Sequence, residues 1–266
     1  MSDAELAIAA AEAGAAVVRA RFGQPVELHA KSGRDFATAA DLEAEKVILD
    51  VLRSARPGDA VLAEESGGGG EAGADRVWLV DPLCGTHNFA ARTPLVAVNV
   101  ALRAGGEVTA AASADPFSGE TYWTGGGVAR VRVDGTDRPL TPDATVPLVE
   151  VNLEPPFANG PGFRATRLLS DVAFNQRFGP RVTSTTLALL WVADGRRAAF
   201  LSDSDLRDNV HYAGPVAICR AAGCVVTGLR GQPPYEGAAG IVASADQQTH
   251  DALLALVAKQ FPGGRQ

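Results

Sequence analysis

The chain has 266 residues, 46% of them hydrophobic, and this is enough apolar material to bury a substantial core. Its formal net charge of -7 and its three lysines argue against nucleic acid as a partner, because binding to phosphate backbones needs clustered positive charge. No run of about 18 apolar residues lacks charges or glycine clusters, so we expect no membrane span. Asp3, Glu5 and Glu12 interrupt the N-terminal segment, so we expect no signal peptide. The three cysteines have no metal-knuckle or disulfide-framework spacing, which favours a reducing cytoplasm.

The N-terminal half, residues 1–146, is predicted to be α+β. Apolar residues recur at helical spacing over residues 3–22 and again up to Arg53, which predicts two amphipathic helices, the second beginning near Thr38 or Asp41. The glycine-rich stretch 66–73 is predicted to be a flexible loop. Short apolar runs separated by turn residues predict strands at 26–29, 60–63, 95–102, 107–114 and 120–124, the last three forming an antiparallel meander. Residues 128–133 supply further short strand material in a turn-rich stretch.

One stretch of this half combines groups for a cation and an anion. An apolar run ends in Asp81, Pro82 is expected to stop the strand, and Gly85 with Thr86 begins a short helix. A carboxylate at a strand end can hold a cation, and the amides at a helix start can hold an anion such as phosphate. Cys84 lies among these groups, where a site for a hard cation would have another oxygen ligand.

The C-terminal half, residues 147–266, is predicted to be α/β and to join the first half without a linker. Its helices and strands alternate without an internal repeat, which predicts a layered α/β fold. Helices are predicted at 164–172, 185–193, 213–222 and 246–261, and strands at 149–151, 197–201, 224–226 and 240–243.

Four segments, in order along the chain, resemble motifs of the inositol monophosphatase family. They are D-x-x-T-x-x-D at 35–41, E-E-S at 64–66, W-x-x-D-P-x-C-G-T-x-N-F at 78–89 and D-P-x-x-x-E at 115–120. The resemblance covers nearly the whole chain and implies the layered α-β-α-β-α fold of metal-dependent, lithium-sensitive phosphatases. It also implies hydrolysis of phosphomonoesters, a homodimer, and a C-terminal half that determines substrate specificity.

The resemblance also implies roles for individual residues. The ligands of a first Mg²⁺ correspond to Glu64, Asp81 and the carbonyl of Leu83, and the pair that orients the attacking water corresponds to Asp41 and Thr86. The groups expected to bind the anionic substrate are the amides of Gly85 and Thr86, together with Lys31 and Ser184.

The second metal site of the family departs from its pattern here. Its three aspartates correspond to Asp81, Cys84 and Val210, so one carboxylate remains of three. Since Mg²⁺ demands octahedral oxygen ligands, we expect this second site to be absent. Asp208 and His211 lie near the lost aspartate. Each step along a helix turns the side chain by about 100°, so His211 is not expected simply to occupy the missing position.

Three interpretations of Cys84 remain open. It can be a nucleophile or acid-base group, if a helix start and a histidine, His87 or His211, lower its pKa. It can be a ligand of a softer metal such as zinc, together with Asp81 and one of these histidines. It can also be a space-filling residue. Each histidine has the further alternative of a helix-start residue that bonds a local carbonyl.

These observations lead to three functional hypotheses. The first is a repurposed enzyme, in which Cys84, a histidine and Asp41 or Asp81 act on a small anionic metabolite. The second is a residual Mg²⁺-dependent phosphomonoesterase for a sugar, polyol or nucleotide phosphate, with one cation held by Glu64 and Asp81. The third is a non-catalytic binder of such a ligand. The two missing metal ligands place the repurposed enzyme slightly ahead.

Overall fold

The computed structural model describes residues 1–31, 36–70, 73–153, 159–160, 162–206, 209–237 and 239–261. The helices in these residues are α1 (Asp3–Arg21), α2 (Ala39–Ala55), α3 (Thr86–Ala90), α4 (Ala165–Leu169), α5 (Val172–Arg177), α6 (Leu187–Ala193), α7 (Val210–Ala222) and α8 (Gln247–Ala258). The strands are β1 (Leu28–Ala30), β2 (Phe36–Thr38), β3 (Ala60–Ala63), β4 (Gly67–Gly69), β5 (Arg76–Cys84), β6 (Ala97–Ala104), β7 (Glu107–Ala114), β8 (Thr121–Gly125), β9 (Val128–Val133), β10 (Thr136–Pro139), β11 (Leu148–Asn152), β12 (Gly179–Val182), β13 (Ala199–Ser202), β14 (Val225–Thr227) and β15 (Ile241–Ser244).

The chain divides into two compact units. The first comprises Met1–Pro139, Thr185–Leu187 and Val210–Ile218, and the second comprises Leu140–Ser184, Ala188–Asn209 and Cys219–Gln266. The first unit contains a sheet of order β10-β9-β8-β7-β6-β5-β3-β4, in which β3 and β5 are parallel and the other pairs are antiparallel. The predicted meander is confirmed, and it extends from β6 to β10.

Helices α1 and α2 pack against this sheet and provide the core of the first unit. A Cβ atom at Gly14 would lie 2.7 Å from Ile48 of α2 and 3.0 Å from Val98 of β6, so the missing side chain lets α1 approach both elements. Ser2 caps α1, and Thr38 with Asp41 forms a capping box at the start of α2. Both predicted helices are thereby confirmed.

Two predictions about the first unit are wrong. Pro82 does not stop β5, which continues to Cys84 through a bulge: Asp81 pairs with Asn99 and Cys84 with Ala97. A bulge leaves ladder positions unpaired, and these tolerate proline. The glycine stretch is not all loop either, because β4 pairs antiparallel with the edge of β3. Residues 71 and 72 of that predicted loop lie outside the described part of the chain.

The second unit contains a mixed five-stranded sheet of order β12-β11-β13-β15-β14. Its apolar core includes Val149, Leu168, Phe174, Leu201 and Leu253, all of them fully buried. The single helix predicted at 164–172 is wrong, because Ser170 and Asp171 separate α4 from α5 and Asp171 caps the second helix. The other predicted helices and strands of this half are present with ends shifted by a few residues. Among the described residues, no helix is long and apolar enough to span a bilayer.

Candidate functional site

The predicted site residues that come together all belong to the first unit. The bulge in β5 changes the alternation of its side chains, so Asp81 and Cys84, three residues apart, face the same side. The start of α7 brings His211 to them, and the ligand atoms of these three residues lie within 4.8 Å of one another. A Cβ atom at Gly214 would lie 3.4 Å from the side chain of Ala101, so α7 sits closely on the small residues of β6.

Asp81 is an enclosed acid of the site, with no solvent exposure. Its Oδ1 accepts a hydrogen bond from the amide of Leu83 at 3.2 Å, and its Oδ2 accepts one from Asn99 Nδ2 at 3.0 Å. His211 Nδ1 lies 2.7 Å from the same Oδ2. Burial alone would raise the pKa of Asp81, but the charge and hydrogen bond of His211 lower it below its usual value. Asp81 is therefore ionised at neutral pH.

The pKa values of Glu64 and His211 both lie above their usual ranges. Burial and the charge of Asp81 raise the pKa of Glu64 to about 8, against the opposing effects of His211 and Lys31. Burial disfavours the charge of His211, but Asp81 and then Glu64 outweigh it and raise its pKa to about 9. At neutral pH Glu64 therefore keeps its proton and His211 keeps its positive charge. Both offset the negative charge that the acids concentrate at this site.

Lys31 and Glu45 hold the segment that carries Glu64. Lys31 Nζ donates to Glu64 Oε1 at 2.9 Å and to Glu65 Oε1 at 2.6 Å. The buried carboxylate of Glu45 accepts the amides of Glu65 at 2.8 Å and Ser66 at 2.9 Å, at the turn between β3 and β4. The ammonium predicted to bind substrate is therefore paired with two acids in this structure.

Cys84 lies in an environment that favours the neutral thiol. Its Sγ accepts a hydrogen bond from the amide of Thr186 at 3.4 Å. Burial, followed by the charge of Asp81, raises the pKa of Cys84 well above its usual value. A nucleophilic cysteine needs the opposite shift.

Asp41 and Thr86, predicted as the pair that orients water, are in contact. Asp41 is fully buried, and its Oδ2 accepts hydrogen bonds from the amide and the hydroxyl of Thr38 at 2.8 and 2.6 Å. Thr86 Oγ1 lies 3.1 Å from Asp41 Oδ1 and 3.1 Å from the carbonyl oxygen of Leu83, so two acceptors share one hydroxyl proton. Burial raises the pKa of Asp41, and the hydrogen bonds from Thr38 and Thr86 partly offset this rise.

The residues predicted to hold one divalent cation fit that role. Among the described residues, Glu64 Oε2 is buried without a hydrogen-bond partner, at 3.7 Å from His211 Nδ1. An unsatisfied buried oxygen is costly unless a ligand or proton satisfies it. Glu64 Oε2 and the carboxylate of Asp81 are oxygen donors of the kind that a hard cation prefers, and the Leu83 carbonyl, close to Asp81 in sequence, is the third predicted donor.

Other predicted residues lie elsewhere. His87 is exposed on α3, and its ring packs against Phe36 with centroids 4.6 Å apart. Gly85 begins α3 in the left-handed conformation at a φ of 95°, which favours glycine. Ser184 belongs to the second unit and is half-buried between β12 and α6. Asp35 of the first motif and Asp208 near α7 lie outside the described residues.

Sequence reasoning missed the polar network behind Asp81. Asn99 Nδ2 also bonds Thr186 Oγ1 at 3.0 Å, and Asn99 Oδ1 accepts from Ser113 Oγ at 2.7 Å. Asn99 was detectable, because it is a buried amide between two valines in an apolar strand. Thr186 is distant in sequence and carried no such signal.

The described chain thus combines mixed α/β sheets with a group of acids around Asp81 in β5. The sequence model of the Inositol monophosphatase family matches residues 2–261, and the chain belongs to this family. It is 34% identical over 216 residues to the inositol-1-monophosphatase of Caulobacter vibrioides, covering 77% of this chain and 82% of that one. It is 32% identical over 256 residues to the Nus factor SuhB of Salmonella typhimurium strain 14028s, covering 90% and 89%.

The solved structures support the same fold. The Thermotoga maritima IMPase superposes with a TM-score of 0.80 and covers 97% of each chain at 22% identity. This likeness concerns the fold alone. The predicted α/β fold of the inositol monophosphatase type is thereby confirmed.

Proposed function

We propose that this protein is a metal-dependent phosphomonoesterase that hydrolyses a small phosphorylated polyol or sugar. The observation that carries the proposal is the contact of Thr86 with both Asp41 and the Leu83 carbonyl. This contact links the buried proton acceptor Asp41 to the Leu83 carbonyl, which is one of the oxygen donors predicted to hold the cation with Glu64 and Asp81. Family membership and relatives named inositol-1-monophosphatase support the same reaction.

In this proposal, the chain's own residues position and deprotonate a water molecule. A bound Mg²⁺ would supply charge stabilisation for the phosphate and would be held by Glu64, Asp81 and the Leu83 carbonyl. Thr86 orients the water, and Asp41 accepts its proton through the threonine hydroxyl. The water oxygen bonds to phosphorus, the ester P–O bond breaks, and the leaving alkoxide takes a proton from solvent. The products are inorganic phosphate and an alcohol.

The electrostatics of Cys84 favour this proposal over a repurposed thiol enzyme. Burial and Asp81 raise the pKa of its thiol, so little thiolate is present at neutral pH. The neighbouring histidine, His211, is paired with Asp81. A base that is already paired and protonated cannot take the thiol's proton. We therefore place the residual phosphatase ahead of thiol chemistry.

The remaining features of the protein stay predictions from its sequence. They are the division near residue 146, the homodimer, the cytoplasmic location, and the binding of the substrate phosphate by the amides of Gly85 and Thr86. The net charge of -7 argues only against nucleic acid as a partner, and a small anionic metabolite is expected from the family.

Phosphate release from a panel of polyol, sugar and nucleoside monophosphates, with Mg²⁺ or with a chelator, tests the proposal. Wild type should release phosphate only with the metal, and Glu64→Gln should lose at least about 100-fold in rate. Glu12→Gln, an exposed acid on α1, is the matched control and should behave as wild type. If no ester is hydrolysed, the phosphatase proposal fails. Ligand binding without turnover would instead assign a non-catalytic binder.

A further inference from the structure

The side chains of Asp81, Cys84 and His211 form a three-donor group of mixed chemistry in the first unit. Their oxygen, sulfur and nitrogen ligand atoms lie within 4.8 Å of one another. Two independent features of the fold create this group: the bulge in β5, and the close seating of α7 on the alanines of β6 and β7 through Gly214.

We propose that Asp81, Cys84 and His211 bind a borderline transition metal such as Zn²⁺, in place of a second hard cation. A carboxylate, a thiolate and an imidazole are the ligand types of zinc, which accepts four ligands in a tetrahedron. Mg²⁺ requires octahedral oxygen ligands and would reject the sulfur. Three protein ligands with a fourth position open to water or substrate are the pattern of catalytic rather than structural zinc sites.

The distances require only small movements for this metal to enter. His211 Nδ1 and Asp81 Oδ2 are 2.7 Å apart, a hydrogen-bond distance. Tetrahedral ligands at zinc–ligand distances of about 2.0–2.3 Å are separated by roughly 3.3–3.8 Å. Each of the three separations, none above 4.8 Å, therefore needs to change by at most about 1.5 Å, while the imidazole and thiol protons pass to solvent.

Groups around the three side chains already hold them in place. Asn99 Nδ2 bonds Asp81 Oδ2 at 3.0 Å, and the amide of Thr186 bonds Cys84 Sγ at 3.4 Å. Asn99 and Thr186 also bond each other at 3.0 Å, so one network supports two of the donors. Partners of this kind orient metal ligands, and their loss typically costs about 10–100-fold in metal affinity.

Asp81 belongs both to this group and to the oxygen donors of the proposed Mg²⁺ site. A metal pair bridged by one carboxylate is a common arrangement in phosphate-ester hydrolysis. The part of the inference that concerns catalysis rests on the proposed phosphatase function. Metal binding itself does not, and it is measured without substrate.

Titration of the metal-free, full-length protein with Co²⁺, a spectroscopic substitute for zinc, tests the inference. Wild type should bind Co²⁺ with a sulfur-to-cobalt charge-transfer band in the near ultraviolet, which Zn²⁺ then removes by competition. Cys84→Ser should abolish the band, and His211→Gln should weaken Co²⁺ binding at least about 10-fold. Cys224→Ser, a buried cysteine of the second unit, is the matched control and should retain the band.

Absence of the band in wild type, or its persistence in Cys84→Ser, would overturn the inference. Circular dichroism of each variant shows whether it folds, and the His211→Gln result stands even if Cys84→Ser does not fold. A Co²⁺ complex without any phosphate release would support the metal site while refuting the phosphatase. Mg²⁺-dependent hydrolysis without the charge-transfer band would support the phosphatase and refute the metal site at Cys84.

Discussion

Replacing Thr86 by valine removes the hydroxyl that joins Asp41 to the Leu83 carbonyl and keeps the shape of the side chain. The hydroxyl lies 3.1 Å from each of these acceptors. In Thr86→Val, the buried Asp41 Oδ1 loses this donor and a methyl group faces the carboxylate. Thr86→Ser keeps the hydroxyl and is the matched control.

Two magnitudes follow for Thr86→Val. Leaving a buried acceptor without its donor costs about 1–3 kcal/mol of unfolding free energy. Loss of a group that positions water and relays its proton should lower kcat by about 10²–10⁴-fold with little change in KM. Thr86→Ser should keep both quantities close to wild type.

Denaturant unfolding and steady-state phosphate release of the three proteins check these values. The assay is run well below the unfolding midpoint, so that lost stability does not appear as lost rate. A Thr86→Val protein with wild-type kcat, at any stability, would refute the role given to the Asp41–Thr86 pair.

Three further predictions concern other residues. Cys84→Asp restores a carboxylate, so the Mg²⁺ affinity should rise about tenfold or more in a titration of the rate against metal concentration. An unchanged affinity would contradict the idea that Cys84 replaces a ligand of the second Mg²⁺ site. Glu45→Gln loses one of two amide hydrogen bonds, so unfolding should become easier by about 1–3 kcal/mol and activity should fall as Glu64 loosens; both are measured on the same preparation. Burial lowers the pKa of His250, so the unfolded state binds more protons near pH 6, and stability should fall with falling pH by at most about 1.4 kcal/mol per unit. His250→Gln should flatten this slope in unfolding experiments between pH 7 and 5.

Much of the fold and part of the site could be predicted from local sequence. The helical periodicity before residue 22 and the cap at Thr38 depend on neighbouring residues, and both predictions are confirmed. The hydrogen bond between Asp41 of α2 and Thr86 of α3 joins two residues that the family resemblance implies as a pair.

The rest depended on long-range geometry. The rotation of about 100° per residue predicts that His211 points away from the position of the lost aspartate at residue 210. That argument assumes the direction of the α7 axis, which the sequence does not give. The seating of Gly214 on the sheet determines that axis, and it brings His211 to Asp81. The bulge after Asp81 also could not be predicted from local sequence, because it arises from the pairing of β5 with the distant strand β6.

The most direct test of the central claim is the initial rate of phosphate release from a polyol monophosphate by chelator-treated protein as Mg²⁺ is added back. Wild type is predicted to regain its rate along a saturable curve, and Glu64→Gln to stay at the chelator level at every Mg²⁺ concentration. Equal recovery by both proteins, or a wild-type rate indifferent to the metal, would contradict a phosphatase whose cation is held by Glu64 and Asp81.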